Sequence, residues 1–194
     1  MTEPALIMVS AILVNNFVLA QFIGLSSLPA APRQLQSALL LGLLSTAVAA
    51  LSALCNHLLL QHLLLPLELV YLRNLAFILV ILPLAQAAVM FSRRYLPRLA
   101  LKPQALLTLL ACNALLLGVA LLDAQRPASG ASTAMLHGLA AGLGFTLVLV
   151  LFVALRQRLA QPAIPVAFRG AAIDMISLGL MSLAFMGFNG LLKA

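Results

Sequence analysis

ALIMVSAILVNNFVLAQFIGL, residues 5–25, is an apolar run long enough to cross a bilayer, and two adjacent amides, Asn15 and Asn16, sit at its centre. A hydrocarbon core holds no water to satisfy such groups, so each amide needs a protein partner. Two arrangements supply one. Either the amides hydrogen-bond a neighbouring helix, or the helix is broken there and the amides serve the break, as in membrane proteins built from inverted repeats. A lone amide, Asn113, lies inside a later apolar run, Thr108 to Leu122, and poses the same choice.

The rest of the chain is of the same kind. Hydrophobic residues make up 64% of its 194 residues and charged residues 8%, against about 25% charged in soluble domains. Mean hydropathy is +1.15. No hydrophilic stretch is long enough to form a soluble domain. The opening MTEPALIM lacks a basic segment, so the expectation is no cleaved signal peptide and a retained first span. Turn residues and charges divide the chain into six spans, near 5–25, 37–60, 69–91, 104–122, 134–155 and 171–192. The break around Pro66 is weak, because residues 58–65 are mostly leucine. DAQRPASGAST, residues 123–133, reads as a flexible polar turn. RQRLAQPAIPVAFRG, residues 156–170, reads as an ordered loop. The fold class expected is all-α: a polytopic membrane protein with a single transmembrane domain over 1–194.

Basic residues orient it. The first, third and fifth loops carry Arg33, then Arg93, Arg94, Arg98 and Lys102, then Arg156, Arg158 and Arg169. Only Arg73, Arg126 and Lys193 lie on the other side. The positive-inside rule puts the odd loops in the cytoplasm and both termini outside. This bias accounts for the net charge of +7 without a nucleic-acid partner. The basic face also suits anionic lipid or acidic partner domains.

Six spans form two halves of three, about 1–92 and 103–194, so the second half enters the membrane inverted. The first span of each half carries the asparagine interruption, LVNNFVL at 13–19 and LACNALLL at 110–117. The expectation is two inverted three-helix repeats with broken first helices, and Asn15, Asn16 and Asn113 near the midplane.

Other residues have local readings. Tyr71 and Arg73 suit interfacial anchoring. Asp174, one turn into the sixth span, is either an ion ligand or proton relay, or an acid favoured by the helix dipole that reaches interfacial water or Arg169. Gly138, Gly142 and Gly144, with Gly179, Gly187 and Gly190, suit close helix packing. Cys55 reads as a small buried hydrophobe. His57 and His62 are five apart, which is not the helical metal spacing. There is no nucleophile arrangement, no phosphate loop and no conventional catalytic site.

Five stretches carry a resemblance: ILVNNFVLAQFIGL at 12–25, YLRNLAFILVI at 71–81, LGVALL at 117–122, FRGAAI at 168–173 and LMSLAFMGF at 180–188. Over nearly its whole length the chain resembles the family of the A and E membrane subunits of Rnf ion-translocating electron-transport complexes. That family also includes the D and E subunits of sodium-pumping NADH:quinone reductase. The resemblance implies a bacterial inner-membrane, six-helix, non-autonomous subunit of an oxidoreductase that acts as a translocase. Its partners would be a homologous, oppositely oriented RnfE-like subunit and B-, C-, D- and G-like subunits. The complex would pass electrons between reduced ferredoxin and NAD and couple this to sodium or proton movement. It also implies a [2Fe–2S] cluster shared with the E subunit, each of the two giving two cysteines, one in a pattern like GLCPF and one in TNCAVLG. This chain departs at both places, reading Gly24-Leu25-Ser26 and Asn113-Ala114-Leu115. Ser26 and Ala114 stand where the family has cysteine. Two outcomes stay open: no cluster, or one held with Cys112 and a changed ligand such as Ser26. Three roles follow: a working part of a translocase, a structural or assembly subunit whose redox site is lost, or an unrelated inverted-repeat channel or carrier.

Overall fold

Leucine and alanine lose little side-chain freedom in a helix, and in hydrocarbon a helix satisfies its own backbone. The computed structural model describes residues 16–20, 23–24, 27–95, 103–125, 130–159, 165 and 168–187. Helix α1 is Phe17–Ala20, and α2 is Leu35–Leu59, continued by a π-helical turn at Leu60–Leu64. A 3₁₀ turn at Val70–Leu72 leads into α3, Arg73–Tyr95. There follow α4, Pro103–Ala111; α5, Ala114–Ala124; α6, Ala131–Arg158; and α7, Ala171–Met186. No strand occurs among the described residues. Leu35–Leu64, Val70–Arg94, Gln104–Ala124 and Ala131–Arg158 are long and apolar enough to cross a bilayer, and Ala171–Met186 is a shorter apolar helix. The chain is a polytopic, all-helical membrane protein.

The central pair is α2 with α6, the most extensive helix contact in the fold. Both are polar-spotted rather than amphipathic, because both are buried on most sides. Small residues bring their backbones together. A Cβ on Gly142 would lie 2.5 Å from Thr46 Cα, and one on Gly138 would lie 2.6 Å from the Ala49 carbonyl oxygen. A Cβ on Gly42 would lie 2.6 Å from Thr146 Cγ2. As one number rises the other falls, so the helices run antiparallel.

The contact is also reciprocal. Gly42 faces Thr146 and Gly142 faces Thr46. The two threonine hydroxyls lie 3.0 Å apart, and each donates to the carbonyl of the glycine four residues earlier on its own helix, at 2.9 and 2.8 Å. Outside this pair, α1 packs on α6 and α7, while α5 packs on α2 and α3. Helix α5 also packs on α6. Helices α3 and α7 are peripheral and expose Leu79, Leu180 and Leu183, which suits a hydrocarbon medium.

Several boundaries differ from the sequence-based expectation. The second span runs on through the π turn, and the chain reverses only at 65–69, where Glu68 takes φ 55. The fourth span is interrupted at Asn113, as the broken-helix expectation has it, where the chain leaves helical geometry. Asp123, expected in a polar turn, belongs to α5 and is buried. A Cβ on Gly179 would meet nothing within 4 Å among the described residues, so it is not a close-packing residue there. The expected first span is described only at 16–20 and 23–24, and the sixth only to Gly187.

Candidate functional site

The break in the second half is built from three residues. Helix α4 ends at Ala111, Cys112 turns, and Asn113 takes an extended conformation, φ −75 and ψ 105, before α5 resumes. Asn113 caps the new helix. Its Oδ1 accepts from the Leu115 N–H at 3.1 Å and its carbonyl from the Leu116 N–H at 3.1 Å. Asn16 sits the same way before α1. Its Oδ1 accepts from the Val18 N–H at 3.0 Å and its carbonyl from the Ala20 N–H at 2.8 Å. The Asn16 Nδ2 also donates to the Gly144 carbonyl on α6, at 3.2 Å. The Asn113 Nδ2 has no partner among the described residues, although Asn113 is buried.

The 23–24 turn touches the break at Asn113. Gly24, at φ +87, leaves no room for a side chain: a Cβ there would lie 3.0 Å from Asn113 Oδ1 and 3.2 Å from Leu115 Cβ. Ile23 Cγ2 fills the space where a Cβ on Gly118 would fall, 2.7 Å away. The turn after Gly24 is closed by Ser27, whose hydroxyl donates to the Gly24 carbonyl at 2.7 Å. Gly24, two residues before Ser26, and Asn113, one before Ala114, are therefore neighbours in space. Asn15 and Ser26 lie outside the described residues.

Cys112 and Ala114 are both at this turn, Cys112 a free thiol on the surface and Ala114 exposed beside it. Neither fits a two-thiolate share of a [2Fe–2S] cluster: Ala114 has no donor atom, and Cys112 offers a single sulfur. Cys112 lies in a turn and not on a continuous helix. Cys55 is half-buried and lines an apolar groove beside Pro83.

Polar groups elsewhere are arranged differently from the sequence-based reading. Asp174 pairs with Arg156 at 3.1 Å, in place of the expected Arg169. Arg156 also donates to the Pro29 carbonyl at 3.2 Å, and Gln157 to the Arg33 carbonyl at 2.7 Å. One end of α6 thereby ties the 29–33 loop to the start of α7. At the other end, Asp123 is buried between two histidines. His57 Nδ1 is 3.0 Å from its Oδ2, and His137 Nδ1 is 3.5 Å from its Oδ1. A reading that puts Asp123 in a loop hides this cluster. The available signal is that His57, Asp123 and His137 all fall at the same membrane end of their spans.

The sequence profile of the family described as "Rnf-Nqr subunit, membrane protein" matches residues 5–192. Proteins named as the A subunit of an ion-translocating oxidoreductase complex are similar along the whole chain. The one from Pseudomonas aeruginosa is 51% identical over 193 residues, covering all of both chains. Those from Azotobacter vinelandii and Alcanivorax borkumensis are 48% and 44% identical over the same span, again with complete coverage of both chains. This chain belongs to the Rnf-Nqr family of membrane subunits.

Proposed function

We propose that this chain is the A-type membrane subunit of a complex that couples electron transfer to sodium or proton translocation in a bacterial inner membrane. The observation that carries the reading is the meeting of the 23–24 turn with the break at Asn113, flanked by exposed Cys112 and Ala114. An exposed break within a membrane protein needs a cover, and a homologous, oppositely oriented subunit presenting its own break is the cover we assign. The reciprocal packing of Gly42–Thr46 with Gly142–Thr146 supports two inverted three-helix repeats, about 1–92 and 103–194, and six spans. The basic residues support cytoplasmic odd loops and periplasmic termini.

On this chain the residues that build the break act as capping groups. Asn16 and Asn113 satisfy the first amides of the helices that follow them, and we assign both to the membrane midplane. No electron-transfer step is assigned to its side chains, because Ser26 and Ala114 replace the thiolates such a step would use. The working role is to hold the broken helices and seat the partner subunit.

Affinity purification through this chain from native membranes tests the reading. The expected result is co-purification of a homologous membrane subunit together with flavin- and iron–sulfur-bearing partners. Alkaline phosphatase fused to the C-terminus is expected to be active. A protein that purifies alone and transports a solute in liposomes belongs to the carrier class instead.

A further inference from the structure

Helix α2 with its π turn, and α3, leave a groove of about 650 Å³ between them. Cys55, Leu58 and His62 line one wall, and Leu79 and Pro83 the other. Neither wall is a regular α-helix there. His62 belongs to the π turn, Leu60–Leu64. Pro83 has no N–H for the Leu79 carbonyl, so α3 lacks a helical bond where it borders the groove. The groove opens sideways, since Leu79 is 70% exposed and Leu58 40%. Both belong to spans long and apolar enough to cross a bilayer, so the medium outside is hydrocarbon. An apolar gap in that medium takes no water.

Depth along this hairpin names the occupant. Arg73 starts α3, and Pro83, ten residues on, lies about 15 Å from it, half the thickness of a hydrocarbon core. The groove therefore ends near the bilayer midplane, with Arg73 at the surface above it. His62 lies between these levels, about two turns from Cys55 toward the same surface. The π turn packs against the 3₁₀ turn Val70–Leu72 that leads into Arg73. From surface to midplane the order is a cation, a ring with an N–H, and an apolar channel. A diacyl phospholipid carries the complementary groups in the same order: phosphate, ester carbonyl, acyl chain. We propose that this groove is a specific site for one phospholipid held by its phosphate. The phosphate accepts from Arg73 and the ester carbonyl from the His62 N–H, while an acyl chain lies along Leu58, Leu79 and Pro83.

The charges nearby leave Arg73 open to such a ligand. Glu68, in the turn between the two helices, is the acid of this hairpin, and neither it nor Arg73 forms an ion pair among the described residues. Helix α7 is the contrast. It also exposes leucines to hydrocarbon, Leu180 and Leu183, but carries no basic residue over Ala171–Met186.

The test uses the protein as purified from native membranes, with any partners it retains, stripped of lipid in detergent. The assignment needs only the membrane-spanning fold, so it holds or fails whether or not partners co-purify. Labelling of Cys55 by a membrane-soluble maleimide is timed by mass spectrometry of its peptide. Dioleoyl phosphatidylglycerol in mixed micelles is expected to slow the labelling about tenfold, the protection at roughly 90% occupancy. Dioleoylglycerol, with the same chains and no phosphate, should protect far less. Arg73→Gln should bring phosphatidylglycerol down to that level, and His62→Phe should raise the amount needed by about threefold or more. Native mass spectrometry should show one phosphatidylglycerol retained, lost in Leu79→Trp, which fills the groove, and kept in Leu183→Trp on α7. If Leu79→Trp fails to fold, Leu58→Trp takes its place. Labelling that ignores phosphatidylglycerol, or equal protection by the two lipids, overturns the proposal. So does an isoprenoid quinone retained in place of the phospholipid.

Discussion

Gly142→Leu is expected to abolish accumulation of the folded protein. The added Cβ alone would fall 2.5 Å from the Thr46 Cα, and a backbone atom cannot rotate away as a side chain does. Overpacking of this kind costs about 3 kcal/mol or more at its upper end. The damage spreads, because Thr46 also donates to Gly42 and meets Thr146. Gly179→Leu, on the open surface of α7, is expected to change stability by less than about 0.5 kcal/mol. Fluorescence-detected size exclusion of the two variants reads the contrast. A monodisperse, wild-type-like Gly142→Leu would show that α2 and α6 do not approach this closely.

The second large effect separates two buried asparagines that look alike in sequence. Asn16→Leu removes a helix cap and the bond to Gly144, leaving the Val18 N–H and the Gly144 carbonyl without those partners. The expected cost is about 2–3 kcal/mol. Asn56 is equally buried, at 1% exposure, yet neither atom of its amide has a partner among the described residues. Asn56→Leu removes an unmet amide and keeps the volume, so it is expected to be neutral or mildly stabilising. Thermal melts of both variants in detergent check the pair. Equal losses at both positions would remove the capping role from Asn16.

Class and the break at Asn113 are legible in the sequence because they rest on one-dimensional signals. Apolar length marks the spans, and an amide inside a span marks a place where the backbone has to be served. Asn113 is the clearest case, since the run around it reads as one span and is two helices. The limits of the spans are less legible: Leu58–Leu65 holds no turn residue, so nothing in it announces the π turn. Pairings across the fold are not legible at all. Asp174 meets Arg156, and not the nearer Arg169, because α6 ends beside the start of α7. Asp123 meets His57 and His137 because three helices converge there, and a reading that ends the helix before Asp123 cannot bring them together. Asn56 shows that a position within a span does not set its surroundings. It lies toward the end of its span and is among the most buried polar residues.

The central claim proposed here is that this subunit holds a broken helix at Asn113 while lacking two thiolates for a membrane cluster. Iron determination and low-temperature EPR of the natively purified complex test it most directly, with Ser26→Cys and Ala114→Cys combined as the comparison. The account predicts no [2Fe–2S] signal at this interface in the unmodified complex, no change in Cys112→Ala, and a gained signal in the double variant when the partner subunit supplies two cysteines. A full cluster signal at this interface in the unmodified complex, persisting in Cys112→Ala, would contradict it.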